Sequence, residues 1–189
     1  MEFIPTKIED VILIKPQVFG DGRGYFMETF RENKFHEAGV REHFVQDNLS
    51  FSQQNAVRGL HYQIRQPQAK LVMVTRGRVL DVAVDLRRGS PTFGQHIAAE
   101  LSHENKHILY IPVGFAHGFS VLSEDACFQY KCSDYYLPQG ERGLRWDDPA
   151  LGIDWKVADP ILSDKDQEQP LLSDISEDDL FNYEPDSQA

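Results

Sequence analysis

Two histidines stand in glycine-bearing segments, His61 in "RGLHYQ" and His117 in "IPVGFAHGF". A histidine so placed can be a metal ligand, a catalytic base or a structural residue. Its neighbours in kind favour proton chemistry. An imidazole has an ordinary pKa of about 6.5 and can take and return a proton near neutrality. Lys70 can face a developing oxyanion, and Tyr130 in "FQYKCSDYY" is a phenol able to donate a proton. Arg23 in "GDGRGYFME" and Arg58 are planar cations suited to phosphate. Such a set suits proton abstraction next to a ketone better than hydrolysis, because no activated serine or cysteine nucleophile stands out. Singly, each residue has a plain structural reading: a histidine beside a strand, a tyrosine in aromatic packing, an arginine in an exposed turn. Together they outweigh those readings.

The elements that must position these residues are strands. In "VLDVAVDL", Leu80, Val82, Val84 and Leu86 share one face and Val79, Asp81, Ala83 and Asp85 the other, as a strand with one face on a core requires. "KLVMVTRG", "HIAAEL", "HILYIP", "GFSVL" and "CFQYKCSDYY" are further strand-like runs, separated by turn signals such as Arg88-Gly89-Ser90-Pro91. Six or more short strands at this spacing predict a mainly β protein, an antiparallel jelly-roll barrel with a few short peripheral helices. The helix candidate is residues 32–38, ended by Gly39. No internal repeat is present.

The two histidine segments resemble the signature segments of the cupin superfamily, whose jelly-roll barrels often hold a metal by three histidines and a glutamate. Pro112, Gly114 and His117 fit the second segment. The first departs where metal binding needs it, with Gln63 in place of a second histidine and Lys70 in place of the glutamate. A lysine ammonium donates hydrogen bonds and has no lone pair for a metal. The expectation is a cupin-like barrel without a metal.

The net charge of -11 is uneven along the chain. Residues 159–189 hold ten acids and one lysine, whereas residues 1–158 hold 20 acids against 18 lysines and arginines. The body is therefore near neutral, which argues against long nucleic-acid polymers as partners and leaves room for a small phosphorylated ligand. The expected organisation is a single domain over 1–158 with an acidic extension, 159–189, packing on or trailing from the barrel. Cys127 and Cys132 have no partner pair, so neither a disulfide framework nor a zinc site is written here, and a reducing cytoplasm is the expected location. Neither a signal peptide nor a membrane span is expected.

The stretches "VFGDGRGYFMETF", "FVQDNLSFS", "VRGLHYQ", "LVMVTRGRVLDVAVDLRRGSPTFGQ", "IPVGFAHGFSVLSE", "YKCSDYY" and "WDDPALGIDW" together resemble the dTDP-4-dehydrorhamnose 3,5-epimerases, over roughly Phe3 to Asp166. The resemblance implies a cofactor-independent homodimer acting on dTDP-4-dehydro-6-deoxy-D-glucose in the route to dTDP-L-rhamnose. By position, His61 matches the family's base, Tyr130 its proton donor and Lys70 the lysine near the C4 oxygen. Asp166, the second aspartate of "SDKD", matches the carboxylate paired with the base, although Asp164 is an equally acidic neighbour. Arg23, Glu28, Gln46, Asp47, Asn48, Arg58, His117, Glu141 and Lys165 match positions associated with the nucleotide-sugar. Tyr135 and Phe26 are available to stack on the thymine. The alternatives are a C3-only or C5-only epimerase of a related deoxysugar pathway, a metal-dependent cupin, and a non-catalytic sugar-nucleotide binding module.

Overall fold

In the computed structural model, which describes residues 1–185, two antiparallel sheets face each other as a jelly-roll barrel. The six-stranded sheet runs Glu2–Pro5, Ile12–Lys15, Ile108–Ile111, Lys70–Arg76, Asp125–Cys132, Gln46–Gln53. The five-stranded sheet runs His96–Ser102, Arg78–Asp85, Phe115–Val121, Val57–Gln63, Glu141–Gly143. Most neighbours in these sheets are distant in sequence, so both sheets are built by long-range pairing. Two short helices, Glu32–Glu37 and Asp164–Gln167, lie outside it. Among the described residues, no helix is long and apolar enough to cross a membrane.

The core between the sheets joins Val72, Val74 and Phe128 from one to Val79, Ala83 and Phe119 from the other. Here the strand Arg78–Asp85 departs from the expectation of one buried face. Its other face, with Val82 and Val84, is buried too, under Leu144, Leu151 and Trp155, with Leu172, Leu180 and Phe181 packed against that cluster. The barrel interior receives the face that carries Asp81 and Asp85, both 0% exposed. Fully burying an aliphatic side chain contributes about 1.5–3 kcal/mol, and the partly buried Leu172 and Leu180 gain a share of that, so the acidic 159–185 segment has an apolar reason to stay on the barrel. Polar contacts add to it: Arg142 pairs with Asp179 at 2.7 Å and the Tyr62 hydroxyl donates to the Asp179 carbonyl at 2.9 Å.

The first helix ends as the sequence requires. Gly39 has φ +91, and the Val40 amide bonds back to the Phe35 carbonyl at 2.9 Å. Phe35, 1% exposed, anchors the helix by packing on Phe3 and Phe30.

Candidate active site

His61 and His117, in the glycine-bearing segments, lie inside strands in the interior of the five-stranded sheet, and they stand directly opposite each other in the antiparallel ladder. The register shifts just beyond, between His117 and Phe119. Gly59 makes this approach possible. Its φ is +107, and a Cβ there would sit 2.6 Å from the His117 carbonyl oxygen and 2.7 Å from the Gly118 Cα. The two histidines thus share one stretch of wall. Two cavities of about 340 and 430 Å³ adjoin it, and both are lined by His61, Lys70 and Tyr130.

His61 is held by Asp166. Its Nε2 lies 2.6 Å from Asp166 Oδ1, and the Asp166 side chain is only 5% exposed. That carboxylate comes from the short helix Asp164–Gln167, whose N-cap Ser163 accepts a hydrogen bond from the Asp166 amide at 3.2 Å. The segment is seated by Ile161, whose amide donates to the Asn55 carbonyl at 2.9 Å and whose carbonyl accepts from the Val57 amide at 2.9 Å. Burial works against the charge on Asp166. Hydrogen bonds from His61, Ser163 and the Gly59 backbone overcome it and hold the carboxyl below its ordinary range. Asp164, the competing acid, is exposed and lines neither cavity.

The facing sheet supplies Lys70 and Tyr130, which point inward with Val72 and Phe128. Among the described residues, neither the Lys70 ammonium nor the Tyr130 hydroxyl makes a hydrogen bond, and Lys70 makes no ion pair. Burial pushes the Lys70 pKa down, opposed by the negative potential of Cys132, Asp81 and Glu141. Burial likewise pushes the Tyr130 phenol up, with Cys132 adding to it and Arg58 opposing it. A cation and an un-ionised phenol, both without partners, thus face the imidazole across the cavity. Gln63, at the cupin-like ligand position, braces the cavity rim. Its amide donates to the Gln66 and Tyr135 carbonyls at 2.6 and 3.1 Å and accepts from the Leu137 amide at 2.9 Å, which latches two loops together.

Both the sequence and the barrel have close counterparts among known proteins. The sequence profile of the dTDP-4-dehydrorhamnose 3,5-epimerase family matches residues 5–174. A dTDP-4-dehydrorhamnose 3,5-epimerase of Pseudomonas aeruginosa is 56% identical over 169 residues, 88% of this chain and 93% of that protein. This chain belongs to the dTDP-4-dehydrorhamnose 3,5-epimerase family. It is an isomerase, a carbohydrate epimerase. A solved structure of a dTDP-6-deoxy-D-glucose-3,5-epimerase from Legionella pneumophila, in complex with dTDP-4-keto-L-rhamnose, superposes with a TM-score of 0.95. That structure is 49% identical and covers 97% of this chain and 98% of its own. A dTDP-4-dehydrorhamnose 3-epimerase of Streptomyces niveus is 40% identical over 176 residues, 92% of this chain and 85% of that protein.

The epimerase's fold brings together some of the binding positions that the sequence suggested. Gln46, Asn48 and Glu141 line one cavity, and Arg58, His117 and Lys165 the other. Arg58 is aimed by the edge strand of the facing sheet, with Nε donating to Ser52 Oγ at 2.8 Å and a terminal nitrogen to the Phe51 carbonyl at 3.3 Å. Glu141 pairs with Lys165 at 2.6 Å and accepts from the Tyr136 hydroxyl at 2.7 Å. Those two bonds offset its burial and hold its carboxyl below the ordinary range.

Three positions lie elsewhere. Arg23 is 91% exposed and pairs with Asp21 at the tip of the hairpin of Val18–Asp21 and Gly24–Met27. Glu28 pairs with Lys34 at 2.7 Å, and Asp47 points outward to Lys131 at 2.8 Å. Tyr135 and Phe26 are 61% and 70% exposed and line neither cavity of the epimerase, whereas Tyr136 does line one. Asp81 and Cys132 are among the site residues that were not singled out from the sequence. Asp81, fully buried, lies 2.9 Å from His117 Nε2, and an acid inside an alternating strand run was its available signal. Cys132 stands opposite Lys70 in the ladder, and only its inward parity marks it.

Proposed function

We propose that this epimerase inverts both C3 and C5 of dTDP-4-dehydro-6-deoxy-D-glucose, giving dTDP-4-dehydro-L-rhamnose, without a cofactor. The observation that carries the reading is that His61 and Tyr130 come from opposite sheets and face a common cavity that also holds the unpaired Lys70. In a 4-keto sugar the hydrogens at C3 and C5 both flank the carbonyl, so removing either leaves an enolate with its charge on the C4 oxygen. With Nε2 held by Asp166, Nδ1 is the His61 nitrogen left to take the proton. The carboxylate orients the ring and stabilises the imidazolium that forms. Lys70 meets the oxyanion, and Tyr130 returns a proton from the other side, which inverts the centre. Each general acid–base step contributes about 10²–10⁴ in rate, and a buried cation at the oxyanion adds a comparable factor. Arg58 and Lys165 both line the larger cavity, which supports reading them as the cations that meet the diphosphate.

The nearest alternative, inversion at one carbon, draws support from the 3-epimerase relative. Proton NMR of the substrate turning over in deuterated water separates the two. Exchange and inversion at both C3 and C5 are expected; inversion at one carbon alone would move the assignment to a mono-epimerase.

The same reading includes a cytoplasmic homodimer. Its support is the edge strand Gln46–Gln53, with Leu49 70% and Phe51 54% exposed, and the hairpin that exposes Phe19, Tyr25 and Phe26. A two-fold partner would cover these apolar groups and give Arg23 and Glu28 a substrate site to join. The two free cysteines fit a reducing compartment. Analytical ultracentrifugation is expected to give twice the chain mass, and a monomer at micromolar concentration would overturn the dimer.

A further inference from the structure

Away from the cavity, the short helix Glu32–Glu37 and the segment after it bring three donor side chains together. Glu32 and His36 are one helical turn apart and project to the same side. Beyond Gly39 the chain folds back and places His43 beside them, with its Nδ1 2.7 Å from Glu32 Oε1 and its ring centroid 5.8 Å from that of His36. One ligand atom from each of the three lies within 4.8 Å of the others. His36 adds an independent sign. Its Nε2 is buried and has no hydrogen-bond partner among the described residues, an uncommon state for a polar atom. Phe35 packs into the core and fixes this helix against the barrel, so the donors are presented from a firm base.

We propose that Glu32, His36 and His43 form a binding site for a divalent transition-metal ion of the zinc type. Two imidazoles and one carboxylate are the donors such an ion takes. Calcium and magnesium prefer all-oxygen sites, and copper(I) prefers sulfur. Donors on a tetrahedral zinc ion stand roughly 3.4 Å apart. The Glu32–His43 hydrogen bond therefore opens and the wider separations close by about an ångström, which the exposed Glu32 and His43 side chains can do around the half-buried His36. Water completes the shell. The ion clips the helix to the segment that enters the strand Gln46–Gln53, whose Gln46 and Asn48 line the cavity. This is a structural site, separate from the reaction.

The test is a calorimetric titration of the untagged, chelator-stripped full chain with Zn²⁺ at pH 7.5. One ion per chain is expected, with a rise in melting temperature on binding. Glu32→Gln and His43→Gln should each weaken binding at least about tenfold, while His103→Gln and His61→Gln leave it unchanged. Both Glu32 and His43 are exposed, so these variants keep the fold and their epimerase activity. Absence of zinc binding, a titration unaltered in both site variants, or binding lost in His61→Gln would each overturn the site.

Discussion

His61 and Asp166 are 105 residues apart in sequence and 2.6 Å apart in space, so the proposed base of this epimerase is completed by a segment outside the barrel strands. If the carboxylate sets the imidazole's tautomer, Asp166→Asn should lower kcat by on the order of 10³, while Asp164→Asn stays near wild type. The pair also predicts an acid sensitivity. The Asp166 carboxyl lies below its ordinary value of 3.8 in the folded state, so the stability it brings is complete above that value and drains away as pH falls through the depressed one. Melting curves from pH 6 to pH 2 should therefore fall less steeply for Asp166→Asn than for wild type.

Removal of the base and of the donor should separate. His61→Ala is expected to abolish solvent-deuterium exchange at C3 and C5, whereas Tyr130→Phe should retain more exchange than inversion. Equal loss of both in Tyr130→Phe, read by NMR in deuterated water, would argue against the donor role. Because burial raises the Tyr130 pKa, the phenol stays protonated and able to donate past pH 10.

Lys70 behaves in the opposite sense. Burial lowers its pKa from 10.5, so its charge is lost with rising pH earlier than for a free lysine. The kcat/KM profile should show an alkaline limb below that value. Lys70→Gln should lack the limb and run about 10²–10³ slower at neutral pH.

Gly59→Ala tests the close strand approach that aligns the two histidines. A Cβ there meets the His117 backbone at 2.6 Å, on a residue with φ +107. Strain and overpacking together should cost about 2–4 kcal/mol, measured by urea unfolding. A loss under about 0.5 kcal/mol would show that the strands part easily.

Much of the barrel is legible locally. The alternation in "VLDVAVDL" marks a strand, and the turn signals around it set its length. The strands Gln46–Gln53 and Val57–Gln63 were less legible, the first because its large apolar residues Leu49 and Phe51 face outward, the second because most of its residues are buried on both faces.

By itself the sequence determined the strand parity, the glycine-bearing histidine segments, the substitution of Gln63 and Lys70 at cupin-like positions, and the family resemblance. All of these are local patterns or residue identities. The tertiary structure alone decided that Asp166 and not Asp164 reaches His61, that Arg23, Glu28 and Asp47 lie off this chain's cavities, and that the acidic segment covers a sheet. The physical reason is that period two assigns a side chain to a face, while what covers that face depends on packing between segments far apart along the chain.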